Sequence, residues 1–300
     1  MLRKRTDLAL EVHELHGDGS GIEVEEKIIN GILVTTAVIS EGEGEFLSGK
    51  SAGKYITLDV GRIWRMESSR FDELANLIAN ELTPLIPEGD GCVLVAGLGN
   101  ENITPDSLGP RVVKKLLVTR HIRSMEGELF KTAGFGCVSA VATGVLGQTG
   151  IESSEIIKSI VGNIKPKCII AIDALASRRL NRLATTVQIT DGGISPGSGV
   201  ANNRKELSKK LFGVPVIPIG VPTVVDAATL AFDLLEEHLG AEDIALAEAV
   251  EKMLSSCGGD MFVTPKDNDI IAAKSAQLLA NAINIALHKM PLWEIKEYVD

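Results

Sequence analysis

The stretch Lys167-Cys168-Ile169-Ile170-Ala171-Ile172-Asp173 decides the fold. A continuous apolar run closed by a charged residue reads as a strand buried on both faces of a sheet. Two other runs have the same form. Residues 92–96 lead into Gly97-Leu98-Gly99, and residues 214–219 close on Gly220. Helical spacing fills residues 107–121, 152–161, 224–239, 244–254 and 270–287. Buried strands alternating with helices predict an α/β fold with a mostly parallel central sheet and helices on both faces. Upstream, residues 22–39 alternate apolar and polar positions around Gly31, which predicts a hairpin added to that sheet. Residues 55–60 read as a strand and 68–82 as a helix; residues 1–21 read as an extended arm and 41–53 as a loop. One domain over residues 8–300 accounts for the pattern.

Composition narrows the function classes. The 300 residues are 45% hydrophobic and 23% charged, an ordinary globular mix. A net charge of −10 argues against direct nucleic-acid binding through overall charge. The charge is uneven, because basic residues outnumber acidic ones between residues 91 and 210. No uninterrupted apolar stretch reaches membrane-span length, and the basic start lacks a signal-peptide core, so the expected location is cytoplasmic with no membrane partner. Cys92, Cys137, Cys168 and Cys257 form no CxxC and read as buried small hydrophobes. No HExxH occurs, and no metal or cofactor is implied.

Three motifs compete for the chemistry. Gly44, Gly49, Lys50 and Ser51 fit G-x4-G-K-S, the phosphate loop of nucleotide hydrolases. That loop needs a helix starting at the Lys-Ser, whereas residues 55–60 continue as a strand, and Glu41, Glu43 and Glu45 would repel phosphate. Gly97-Leu98-Gly99-Asn100 follows a buried strand but lacks the last glycine of a dinucleotide fingerprint. It marks the carboxyl end of a strand, the edge where open α/β sheets bind ligands. At Thr104-Pro105-Asp106-Ser107, helix capping accounts for every residue: Thr104 caps, Pro105 opens the helix and Asp106 meets its positive end. Asp173 has no such explanation, since Asp is a poor strand former. Beyond it lie Arg178, Arg179 and Arg182, a basic cluster suited to clamping an acidic group.

These stretches together resemble the germination protease family of spore-forming bacteria. The resemblance rests on RTDLALE (residues 5–11), LVAGLGN (94–100), TPDSLGP (104–110), QTGIE (148–152), IIAIDALA (169–176), SPGSG (195–199), NRKELS (203–208), IGVPTVVDA (219–227) and FVTPK (262–266). It implies an atypical aspartic endopeptidase that degrades small acid-soluble spore proteins during germination, in the spore core. It implies essential aspartates at Asp106 and Asp173, a homotetramer, and a zymogen that processes itself at Asp7-Leu8. The sheet is expected to be similar to that of hydrogenase maturation proteases, without their metal-binding histidine. The prosegment, residues 1–7, is shorter than is usual in the family.

The expected mechanism has Asp106 and Asp173 sharing one proton, with the ionised member activating a water. Backbone amides near Gly99 and Asn100 would face the oxyanion, and Arg178, Arg179, Arg182 or Arg204 would pair with the acidic residue before the cut. The alternatives are a nucleotide hydrolase built on Gly44 to Ser51 and a peptide-binding module without chemistry.

Overall fold

Parallel pairing needs crossover helices, and it occurs where the long apolar runs lie. A computed structural model describes residues 6–16, 21–196, 205–239, 252 and 261–299. Among these, nine strands form one sheet: β1 (Ile22–Ile29), β2 (Ile32–Ile39), β3 (Gly53–Asp59), β4 (Val93–Leu98), β5 (Val138–Gly144), β6 (Cys168–Ser177), β7 (Thr186–Thr190), β8 (Val216–Asp226) and β9 (Phe262–Val263). Their order is β1-β2-β3-β7-β8-β6-β4-β5, with β9 beside β8. The core pairs β5–β4, β4–β6 and β6–β8 are parallel. The hairpin side, β1 through β7, is antiparallel. The predicted sheet, with helices on both faces and the hairpin added at one side, is therefore present.

Alternation along β6 separates the two layers. Ile170 and Ile172 face a core built with the helices Ser68–Leu82 and Asn268–His288, while Ile169 and Ala171 face another containing Ile157, Leu207 and Phe212. The hairpin turn is Asn30-Gly31, both with positive φ (51° and 75°), as a two-residue turn matching strand twist requires. The helix Asn268–His288 is long and apolar enough, by length and composition, to cross a membrane, but polar residues interrupt it and 72% of its most apolar window is buried within this protein, as in a core helix.

Several predicted boundaries move. The arm contains a helix, Ala9–His16, whose first free amide, Ala9 N–H, is accepted by Gln188 Oε1 at 2.9 Å. The 41–53 loop holds a short helix, Glu43–Ser48. The predicted helix 107–121 is broken into Leu108–Val113 and Arg120–Met125. It breaks because Leu117 N–H is accepted by Asn284 Oδ1 (3.0 Å) and Thr119 N–H by the Val138 carbonyl (3.0 Å), away from the helical ladder. Strands β6 and β8 run past the apolar segments, because pairing continues from Asp173↔Gly220 to Ser177↔Val225. Residues 224–226, predicted helical, belong to β8. The predicted helix 244–254, Cys257 and Arg204 lie outside the described residues, except Lys252.

Helix Leu108–Val113 backs onto β4 through two glycines. A Cβ on Gly109 would sit 2.3 Å from the Leu98 carbonyl oxygen, and one on Gly97 would sit 2.4 Å from the Gly109 oxygen. Gly109→Ala must push the helix off the strand, at a cost of about 2 kcal/mol. Urea denaturation is expected to show that loss in the midpoint; an unchanged midpoint would mean the close approach is dispensable.

Candidate active site

Both predicted aspartates stand at the carboxyl edge of the parallel strands. Asp173 is buried in β6, opposite Gly220 of β8, and its Oδ1 accepts the Ala174 amide at 3.0 Å. Asp106 ends a 3-10 turn, Thr104–Asp106, that lies against β6 and β8. The capping role read from the sequence is not realised, since the following helix has no side-chain cap. Asp106 Oδ2 instead accepts the Asn100 amide at 2.7 Å. Gly99 makes this possible: its φ is +105°, and a Cβ there would lie 2.1 Å from the Asp106 carbonyl oxygen. The Asn100 amide, expected to face an oxyanion, is thus given to Asp106. The Asn100 side chain holds Gln148 Nε2 at 2.6 Å and the Asn102 amide at 3.0 Å.

The N-terminal segment is docked on the same edge. Asp7 N–H is donated to the Ala176 carbonyl, and Ala176 N–H to Asp7 Oδ2, both at 2.8 Å. The Asp7 carbonyl accepts from Gln188 Nε2 (3.0 Å) and Lys50 Nζ (3.0 Å). Leu8 is fully buried, and its amide is donated to Thr6 Oγ1 at 3.0 Å. The predicted cleavage pair Asp7-Leu8 therefore sits beside the strand that carries Asp173. Lining the adjoining pocket of about 420 Å³ are Asp7, Lys50, Leu175, Gln188, Glu206 and Gly220, among others. Neither aspartate lines that pocket; Asp173 is the strand neighbour of Gly220, which does.

The arginines organise this segment. Glu11 is fully buried, and its carboxylate accepts the backbone amides of Arg178 (2.7 Å) and Arg179 (3.0 Å). Arg182 lies 3.4 Å from Glu11 and also pairs with Glu14, which Arg179 approaches at 3.3 Å. These guanidinium groups hold the carboxylate of Glu14 below the usual range against the opposing effect of burial. Arg178 Nε donates to Asp233 at 2.7 Å. The acidic side chains that Arg179 and Arg182 meet thus follow the predicted cut, whereas the one before it, on Asp7, is met by a backbone amide.

Lys50 belongs to no phosphate loop. The chain after Ser51 enters β3, and Lys50 Nζ is directed at the Thr6 and Asp7 carbonyls. Burial lowers the lysine's pKa, with the charges of Asp7 and Glu11 acting the other way. Cys92, Cys137 and Cys168 are buried free thiols. Desolvation pushes Cys92 and Cys168 up to about 11, which leaves them protonated and inert. Sequence reasoning missed Lys50, Gln188 and Glu11 as parts of the site. The available signal for Gln188 was a polar residue between the apolar Val187 and Ile189.

The family model and the curated relatives agree on a family. Residues 4–252 match the family model described as germination protease. A germination protease of Clostridium acetobutylicum is 44% identical, with 99% of each chain covered. That of Clostridium perfringens is 41% identical over 100% of both, and that of Bacillus licheniformis 38% identical over 95% of this chain and 93% of its own. Among solved structures, a NiFe hydrogenase maturation protease from Thermococcus kodakarensis aligns with a TM-score of 0.37 at 16% identity, covering 68% of this chain and 98% of its own.

Glu11→Ala would strip the acceptor from the Arg178 and Arg179 amides, at a cost of about 2 kcal/mol. Thermal unfolding is expected to show that loss, and hydrogen exchange should show faster exchange at both amides. Wild-type protection at both would refute the anchoring role.

Proposed function

The chain belongs to the germination protease family, and from that premise we propose that it is an endopeptidase that cuts small acid-soluble spore proteins with two aspartates, Asp106 and Asp173, after first removing its own residues 1–7. One observation carries the reading: a segment with the sequence Thr6-Asp7-Leu8-Ala9-Leu10-Glu11 lies against β6 just beyond Asp173. The turn bearing Asp106 packs against the same strand.

The chemistry follows from that edge. Two carboxylates brought together cannot both ionise cheaply, so they hold one proton between them. The ionised member draws a proton from water as it attacks the carbonyl carbon of the acidic residue. The protonated member gives its proton to the departing amine. Gly220 lies between Asp173 and Gln188 in the sheet, and its missing side chain makes room for Leu175, whose Cγ would lie 2.8 Å from a Cβ there. Leu8, wholly removed from water, supports a subsite after the cut that takes a large apolar group. The reading places the enzyme in the spore core as a homotetramer. Ile28, Phe46 and Trp293, exposed by 77, 86 and 67% in one chain, are apolar surface available to subunit contacts.

The test is hydrolysis of a spore-protein substrate by wild type, Asp106→Asn and Asp173→Asn. Each variant is expected to lose on the order of a thousandfold in kcat. Wild-type turnover in either variant would remove that aspartate from the mechanism. Sedimentation velocity checks the assembly, with a tetramer expected and a monomer contradicting it.

A further inference from the structure

The G-K-S stretch has no place in the chemistry above, yet its lysine touches the bond to be cut. Lys50 leaves the loop after helix Glu43–Ser48, where its amide is donated to Ser48 Oγ at 3.1 Å. Its ammonium donates to the Asp7 carbonyl at 3.0 Å and to the Thr6 carbonyl at 3.4 Å. From the other side, Gln188 Nε2 donates to the same Asp7 oxygen at 3.0 Å. The orientation of Gln188 is fixed, because its Oε1 accepts the Ala9 amide. Gln188 is buried, and β7 holds it opposite Gly220, whose other partner is Asp173.

Two N–H donors therefore converge on one peptide oxygen, that of the acidic residue preceding Leu8. Donors aimed at a carbonyl are worth most when its oxygen becomes an anion in a site removed from water. The Asn100 amide, the other candidate for this task, is already engaged by Asp106. Burial lowers the Lys50 pKa, the direction expected for an ammonium drawn out of water.

We propose that Lys50 and Gln188 form the oxyanion site of this protease, holding the carbonyl of the acidic residue before the cut. The inference rests on the self-cleaving reading given above and adds to it the groups that receive the negative charge. When water adds to the carbonyl carbon, its proton passes to the ionised aspartate. The carbonyl π pair moves onto the oxygen held by Lys50 Nζ and Gln188 Nε2. Collapse re-forms the C=O bond and breaks the C–N bond, and the Leu8 nitrogen takes a proton from the protonated aspartate. Water and one peptide bond are consumed, and a carboxylic acid and an amine are produced. The Thr6 hydroxyl, which accepts the Leu8 amide, keeps that nitrogen in register during the step.

The experiment measures the first-order rate at which full-length wild type, Lys50→Met, Lys50→Arg and Gln188→Leu release residues 1–7, followed by intact mass. Hydrogen exchange at the Ala176 amide reports in parallel whether the segment stays docked. Lys50→Met is expected to cut on the order of a hundredfold more slowly with Ala176 still protected, and Lys50→Arg to recover part of the rate. Gln188→Leu is expected to slow the cut by a similar factor. Wild-type rates in Lys50→Met and Gln188→Leu would overturn the assignment. So would a rate loss matched by lost Ala176 protection in Lys50→Met, since the lysine would then only dock the segment. A wild-type chain that cuts neither itself nor a spore-protein substrate would instead bring down the reading on which the assignment rests.

Discussion

Asp7 and Ala176 exchange two hydrogen bonds, one through the Asp7 backbone and one through its carboxylate. That pairing sets the register of residues 6–11. With Asp7 fixed on the rim of β6, Leu8 is sealed from water, Ala9 meets Gln188, and Glu11 reaches the Arg178 and Arg179 amides. A buried carboxylate is costly unless its oxygens are filled by donors, and here two backbone amides and a guanidinium fill them. Slipping the segment by one residue would put Leu10 where Glu11 stands and leave those amides buried without an acceptor. The docking is therefore specific in register, as the proposed cut at one peptide bond requires.

The sheet supplies the rest. Its four parallel strands end at one edge, and β6 and β8 extend beyond their apolar segments to form a platform there. Asp173 is the first residue of β6 beyond the uninterrupted apolar run, and Gly220 beside it makes room for the Leu175 side chain. Gly97, Gly99 and Gly109 bring the next helix and the Asp106 turn close to β4. The same glycines that give the chain its turns let backbone approach backbone at the site.

Much of this was legible. The apolar runs at residues 92–96, 167–172 and 214–219 became β4, β6 and β8, and helix 68–82 has its predicted ends. Asp173 stood out because no local rule explains a carboxylate there. Asp106 did not, because capping rules accounted for it fully, and the structure replaces that cap with a bond to Asn100. The helix Ala9–His16 escaped notice because its stability comes from partners such as Gln188 and Arg178, far away in sequence. Strand β5 was hidden by its small and polar residues, suited to a partly exposed edge. Lys50 was visible, but in the wrong motif. Spacing alone matched a phosphate loop, and only the strand that follows and the docked carbonyl show what the lysine faces.

The central claim is that residues 6–11 lie in the groove of their own chain with the Asp7–Leu8 bond presented for cutting. Intact-mass spectrometry of the full-length protein over time, at several protein concentrations, tests it most directly. The account predicts a single new amino terminus at Leu8, appearing at a rate independent of concentration. A new terminus elsewhere, or a rate that rises in proportion to protein concentration, would contradict it.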